Sequence, residues 1–374
     1  MQKSAPRQRI QKGAIATPWA QELAQAIARP EDLPEALAER IAPFANAQGL
    51  FPFKVTPYYL SLADPRDPRD PILLQCLPDA AELKERPGLE LDPIAERRHS
   101  PLPGLVRRYP DRAALLLGRA CAVHCRHCTR RHMGQGNIRG LDAAGLEDAI
   151  AFLRDHAEIS DVLVTGGDPL LLDDEVLAHA LSRLRSIQSV RVIRVGTRAP
   201  VTLPTRITPN LIKTLRRFGP LYVLTQFNHP REITSLSKIA LGRLASAGLP
   251  VANQSVLLRG VNDDPEVMEE LCRNLFGLRV RPYYLFLCDQ WPGLEHLRTS
   301  FDAALAVSEH LRGRLSGLAI PQLVVDLPGG LGKVPVGPDY VVRREPGKVV
   351  LRAPSGERVE YLNPIVQEPA EKEA

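Results

Sequence analysis

Between residues 112 and 326, short aliphatic runs alternate with amphipathic stretches of helical length, and no other feature constrains the fold as strongly. The runs are AALLLG (113–118), DVLVTG (161–166), RVIRVGT (191–197), LYVLTQF (221–227), VANQSVLL (251–258), RPYYLFL (281–287) and PQLVVD (321–326). Between them, stretches such as LDAAGLEDAIAFLRDH (141–156) and DDEVLAHALSRLRSI (173–187) repeat apolar residues at helical spacing. Alternation sustained this long predicts an α/β fold: a parallel sheet covered by helices, as an open sheet or a full or partial barrel. In the stretch after VND, Asp264 is expected to cap a helix with Pro265 at its first position.

The flanks read differently. Residues 1–16 are basic and polar, an expected loose arm, and residues 18–42 suggest two short helices punctuated by Pro30 and Pro34. Residues 50–110, rich in Pro, Asp and Arg, read as irregular and helix-poor. Residues 340–362 read as an antiparallel meander turning at EPGK and PSGE, followed by a solvated tail. The expected division is therefore 1–110, a helical and irregular segment; 111–326, the β/α unit; and 327–374, a glycine-rich loop, the meander and the tail.

Composition excludes several classes. An apolar fraction of 44% supports a sizeable core. The net charge of +5 is scattered among acids rather than gathered into a stripe, which argues against nucleic acid as a partner. No run approaches a membrane span, and the first residues lack an apolar signal core, so a cytoplasmic enzyme is expected. Six cysteines are too few for a disulfide scaffold.

Three of those cysteines lie together. Cys121, Cys125 and Cys128 follow the first aliphatic run, spaced C-x-x-x-C-x-x-C. Three thiolates can hold three irons of a cubane and leave the fourth open to chelate S-adenosylmethionine through its amino and carboxylate groups; soft sulfur donors suit such clusters. The competing reading is structural zinc, with His124, His127 or His132 as fourth ligand. Structural zinc sites more often spread two ligand pairs over a longer loop, and no second pair is present. Inert buried thiols, the third reading, would make the spacing a coincidence.

CAVHCRHCTRRH (121–132) resembles the radical S-adenosylmethionine signature in the form used by the lysine 2,3-aminomutase family. TPYYLSLADPRDP (56–68), RRYPDR (107–112), GGDPLL (166–171), IRVGTRAPVTLPTRIT (193–208), FNHPREIT (227–234), NQSVLLRGVND (253–263), GLEHLRT (293–299) and VVDLPGGLGKVPVGPDYV (324–341) resemble that family in the same order, so the likeness covers most of residues 50–362. It implies a partial (β/α) TIM-like barrel of the radical S-adenosylmethionine type. It also implies an isomerase that interconverts L-α-lysine and L-β-lysine through a 5′-deoxyadenosyl radical, with lysine bound to pyridoxal phosphate.

The same resemblance assigns residues. Cys121, Cys125 and Cys128 would ligate the 4Fe–4S cluster, and Gly166, Gly167 and Asp168 would hold the methionine end of S-adenosylmethionine. Lys333 would carry pyridoxal 5′-phosphate as a Schiff base, with Gly329, Gly330 and Gly332 permitting close approach; Arg112 would contact the phosphate and Gln254 the cofactor pocket. Arg130 would bind the substrate carboxylate, while Asp289 and Asp326 would recognise the distal ammonium. Taken alone, Arg112 is a surface or loop-anchoring arginine, each Asp is a cap, and the glycine-rich stretch is a surface loop. Two acids at the far end of the substrate argue against a glutamate-processing relative. An external electron donor such as flavodoxin or ferredoxin and a homo-oligomeric state are further expectations.

Three positions depart from the family's pattern: Gln226 stands where His is expected, Phe286 where a pocket Tyr is expected, and Asp264 where some members carry a zinc-binding Cys. No cysteine follows Cys288, so no zinc is expected. Within the same chemistry, a mutase supplying β-lysine to elongation factor P or an arginine 2,3-aminomutase stay open. A zinc-binding module is the alternative of a different class.

Overall fold

Backbone pairing follows the alternation of the sequence. The structure, a computed structural model, describes residues 17–44, 47, 51–84, 87–131 and 141–364. Strands β1 (Leu105–Val106), β2 (Arg112–Gly118), β3 (Asp161–Gly166), β4 (Val192–Gly196), β5 (Leu221–Thr225), β6 (Val251–Leu257), β7 (Val280–Leu287), β8 (Gln322–Leu327) and β9 (Gly332–Pro335) form one nine-stranded sheet in sequential order. From β2 to β8 all pairings are parallel; β1 and β9 add antiparallel edges. Sequential order without a pairing of β1 to β9 is the topology of a partial β/α barrel. The helix-forming stretches lie between the strands, as the periodicity predicts.

The two faces of the strands have different chemistry. Along β6, Val251, Asn253, Ser255 and Leu257 are buried, while the alternate residues Gln254 and Val256 face an internal cavity. In β4, Ile193 and Val195 enter the core and Arg194 and Gly196 line the cavity. The period of two thus separates a fully buried side from one that lines the cavity, leaving space where a closed barrel would pack side chains.

Helix Ala143–Asp155 starts at Asp142, whose side chain accepts from Gly145 N, and buries Leu146, Ala149, Ile150 and Leu153 against the sheet. Helix Pro265–Gly277 starts at Asp264, which accepts from Glu266 N at 2.8 Å and Val267 N at 3.1 Å, with Pro265 at the first position as expected.

Helices Pro18–Ala24 and Glu35–Ile41 answer the expected N-terminal pair. Leu33, Leu37, Phe53, Tyr59 and Ile72 join Leu115 and Val164 in one continuous core, so the leading segment packs into the same interior as the barrel. Among its described residues, the segment expected to be irregular contains the single helical turns Pro57–Leu60, Leu73–Cys76 and Ala80–Leu83 and the two-residue strand β1. A separate three-stranded antiparallel sheet, β10 (Val341–Glu345), β11 (Lys348–Arg352) and β12 (Arg358–Leu362), forms the meander, with Glu345 paired to Lys348 across the EPGK turn. The expected arm (1–16), His132 and the tail from residue 365 lie outside the described residues. Among the described residues no helix is long and apolar enough to cross a membrane.

Candidate active site

The cavity has a volume of about 550 Å³, within the range of small-molecule and cofactor sites. The residues assigned to the cluster, the cofactors and the substrate line it, the glycines beside Lys333 excepted: Arg112, Cys121, Cys125, Cys128, Arg130, Gly166, Gly167, Asp168, Gln254, Asp289, Asp326 and Lys333. These positions span 222 residues of chain, from Arg112 to Lys333, and only the barrel brings them together.

At one end stands the cysteine loop, fixed by the N-terminal segment. His124 N donates to Lys54 O at 2.8 Å and Arg126 N to Gln75 O at 2.8 Å. Arg126 and Arg131 both pair with buried Glu82, tying the loop to the turn Ala80–Leu83. Burial, then the neighbouring sulfurs, raises the Cys121 thiol; burial, then Cys125, pushes Cys128 up to about 11. Clustered thiols that resist ionisation alone gain their charge by binding a metal centre.

Two buried polar atoms of the cavity wall, His127 Nδ1 and Thr225 Oγ1, have no partner within the protein. Such orphans beside the thiols suit a polar guest. His124 and His127, the zinc-reading ligands that can be placed, are turned to protein: His124 Nδ1 meets Pro52 O at 3.1 Å, and His127 Nε2 meets the side-chain amides of Gln226 at 3.1 Å and Asn228 at 3.3 Å. Three thiols on one short loop are the soft donors an iron–sulfur cluster takes.

The GGD turn abuts the cysteine loop at backbone distance. Gly166 has φ +119°, and a Cβ there would lie 2.4 Å from Gly118 O; one on Gly167 would lie 2.5 Å from the Arg119 carbonyl carbon. Asp168 is more engaged than its expected role suggests. Its carboxylate accepts from Thr197 Oγ1 at 2.7 and 2.9 Å, Arg198 N at 2.8 Å and Leu170 N at 3.0 Å. It thus braces the ends of β3 and β4.

At the other end, Lys333 is not in a loop, as its glycine-rich surroundings suggest, but on β9. Antiparallel pairing of β9 with β8 sets it opposite Asp326. Its Nζ lies 2.9 Å from Asp326 Oδ2, its backbone N donates to Tyr109 Oη at 2.9 Å, and its ammonium stands 5.6 Å from the centre of the Phe286 ring. Arg112 begins β2 and stacks over Tyr109 at 4.0 Å, and Gln254 points inward from β6. A lysine, a stacked arginine and an inward amide match what a pyridoxal phosphate needs.

The groups assigned to substrate line the same cavity, Asp326 beside Lys333 and Arg130 two residues past Cys128. Glu96 grips Arg130 through Nε at 3.0 and 3.1 Å and NH2 at 2.6 Å. This leaves NH1, 3.5 Å from Thr165 Oγ1, as the edge open to a carboxylate. Asp289 follows β7; burial, then the negative charge of Asp326, raises its carboxyl to about 7. Arg108 holds Asp326 Oδ1 at 2.5 Å.

Glu96, Arg108, Tyr109 and Arg198 were not assigned a function from the sequence. Arg108 and Tyr109 stand in RRYPDR and Arg198 in GTRAP, so those motifs carried a signal; Glu96 comes from an irregular stretch that carries none. The departures also have places: Gln226 contacts His127, Phe286 faces Lys333, and Asp264 caps its helix.

Residues 115–272 match the Radical SAM superfamily model, and residues 308–373 match the Lysine-2,3-aminomutase model. L-lysine 2,3-aminomutase of Clostridium subterminale is 47% identical over 311 residues, covering 83% of this chain and 75% of that protein. The chain belongs to the lysine 2,3-aminomutase family. A putative L-lysine 2,3-aminomutase of Aquifex aeolicus is likewise 47% identical over 325 residues, covering 87% of this chain and 88% of the relative. Glutamate 2,3-aminomutase of Clostridioides difficile is 44% identical over 307 residues, covering 82% and 72%. Overall identity within the lysine 2,3-aminomutase family therefore does not separate a cationic from an anionic substrate, and the pocket's charge has to. Membership brings an enzyme that uses a 4Fe–4S cluster, S-adenosylmethionine and pyridoxal phosphate.

Proposed function

We propose that this protein is an L-lysine 2,3-aminomutase, interconverting L-α-lysine and L-β-lysine. The observation that carries the reading is the pairing of Asp289 and Asp326 in the same cavity as Lys333 and Arg130. Two carboxylates suit a distal ammonium and would repel the second carboxylate of glutamate.

When bound, the cluster with S-adenosylmethionine supplies a 5′-deoxyadenosyl radical, and pyridoxal phosphate holds the migrating nitrogen. Cys121, Cys125 and Cys128 hold the cluster, and the glycine pair keeps the wall thin enough for S-adenosylmethionine to approach it. Lys333 anchors pyridoxal phosphate, Arg112 neutralises its phosphate and Gln254 borders it. The free edge of Arg130 fixes the substrate carboxylate while Asp289 and Asp326 fix the other end. Clamping both ends presents the carbon between them to the radical and limits side reactions.

In this reading residues 111–326 carry the cluster and S-adenosylmethionine, residues 327–374 bring Lys333, and residues 1–110 brace the cysteine loop. Six free cysteines and an iron–sulfur centre suit a reducing compartment, so we place the enzyme in the cytoplasm. A flavodoxin or ferredoxin supplies the electron, and the working form is a homo-oligomer. The test is anaerobic assembly with iron, sulfide and pyridoxal phosphate, then incubation with S-adenosylmethionine, dithionite and separately lysine, arginine or glutamate. β-Lysine as the main product supports the reading; turnover of arginine or glutamate in preference to lysine overturns it.

A further inference from the structure

Arg198 follows β4 and is the most heavily engaged cation of the cavity wall. Its guanidinium is buried, yet one edge reaches sulfur: NH1 lies 2.9 Å from Cys125 Sγ. Nε donates to Gln226 O at 3.1 Å. NH2 donates to Gln75 Oε1 at 2.6 Å, Glu232 Oε1 at 2.7 Å and Tyr59 Oη at 3.1 Å. Glu232 is itself fully buried and held by Tyr59 Oη at 2.6 Å and by the backbone N–H groups of Asn228 and His229.

This network reaches well beyond local packing. The Arg198 backbone N–H meets Asp168, so one residue ties the GGD turn, the end of β5, the N-terminal segment and the cysteine loop together. A buried guanidinium needs anionic partners. Glu232 supplies one, and the only sulfur among the hydrogen-bond partners of Arg198 is Cys125, an expected cluster ligand. The neighbouring Arg126 and Arg131 spend their donors on Glu82 and backbone carbonyls instead.

We propose that Arg198 is a positioning residue for the iron–sulfur centre: it fixes the Cys125 sulfur and, through a charge-assisted hydrogen bond to it, raises the cluster's reduction potential. The inference rests on the reading of Cys125 as a cluster ligand. Reduction adds one electron, from dithionite in the test, takes the cluster from 2+ to 1+ and makes or breaks no bond. The added negative charge spreads onto the ligating sulfurs, and a donor or cation on one of them stabilises the reduced form. Glu232 has the opposite effect, because its carboxylate offsets part of the arginine's charge.

The two residues therefore predict shifts of opposite sign. The cluster is assembled anaerobically in the wild type, Arg198→Gln and Glu232→Gln, iron and sulfide are counted, and the midpoint potential is read by electron paramagnetic resonance during dithionite titration. The expected result is a more negative potential for Arg198→Gln and a more positive one for Glu232→Gln. Any other pair of shifts overturns the proposal. Should Arg198→Gln load no iron, Glu232→Gln decides alone: a positive shift supports the proposal, and no shift or a negative one overturns it. A wild-type protein that assembles no 4Fe–4S cluster would instead defeat the underlying ligand assignment.

Discussion

Lys333 Nζ stands 2.9 Å from Asp326 Oδ2, and the register of β8 against β9 sets the two residues directly opposite one another. Arg108 holds the second carboxylate oxygen, so Asp326 is fixed from one side and offers the other to an ammonium. The ammonium of Lys333 and that at the end of a lysine substrate are chemically alike. In the proposed reading, commitment of Lys333 to a cofactor would release the same oxygen for substrate. On that proposal the pairing would link the readiness of Lys333 for the cofactor to the availability of Asp326 for the substrate's ammonium.

Replacing Asp326 with Asn tests that link. Removing one partner from buried charge pairs costs about 3 kcal/mol, and each ~1.4 kcal/mol is tenfold, so kcat/KM for lysine should fall about 100-fold or more. Steady-state kinetics on cluster-loaded protein gives the answer. A loss smaller than about threefold would place the distal ammonium elsewhere.

Asp289 makes stability depend on pH. Its carboxyl is raised from 3.8 to about 7 in the folded protein, mainly by burial and next by Asp326. The folded state therefore binds the proton more tightly than the unfolded chain. Stability from this group is highest below the unfolded value, declines as pH rises through the window from about 4 to about 7, and is flat above it. Asp289→Asn removes the term, so melting temperatures of the cofactor-free variant should fall less than those of the wild type between about pH 5 and about pH 7.5. Parallel melting curves for the two proteins across that range would contradict the assignment.

On the proposed substrate role of Arg130, Glu96 would act on substrate through it. Its carboxylate takes Nε and NH2 of the guanidinium and leaves NH1 facing the cavity. Glu96→Gln weakens that grip while keeping its shape. KM for lysine should rise about tenfold, the equivalent of ~1.4 kcal/mol, with kcat changed less than about threefold. An equal fall in kcat at unchanged KM would assign Glu96 to a later step.

The legible part of the molecule was the part with a period. Strands such as DVLVTG and VANQSVLL could be placed because burial on one face repeats every second residue, and Asp264-Pro265 could be placed because a cap is a local event. β1 and β9 were not legible: they are short antiparallel edges specified by the strand beside them. Hence Lys333 was expected in a loop and lies on a strand. Residue type and motif singled out the cysteines and Lys333, which share one cavity, whereas nothing singled out Glu96, whose place depends on an irregular chain arriving beside Arg130. Asp168 shows the converse. Its motif was legible, but its donors, Thr197 and Arg198 just past β4 and Leu170 in its own turn, were not.

Gly166 offers the sharpest test of how the GGD turn supports the site. It adopts φ +119°, which side-chain-bearing residues rarely enter, and an added Cβ would lie 2.4 Å from Gly118 O. Backbone cannot yield as a flexible side chain can, so β2 and β3 would have to part where the cysteine loop begins. Displacement would also strain the Asp168 N to Ala120 O bond of 2.8 Å, which anchors the turn to that loop. Gly166→Ala should therefore lose about 3 kcal/mol or more of stability and retain less iron after reconstitution. Gly242 is the matched control, in helix Ser235–Ser246 with nothing within 4 Å of a Cβ. There the same change should add ~0.5–1 kcal/mol and leave iron content unaltered. Denaturant melts and iron analysis of both variants check the contrast. Equal behaviour would mean that the close approach of the GGD turn to Gly118 does not support the cluster.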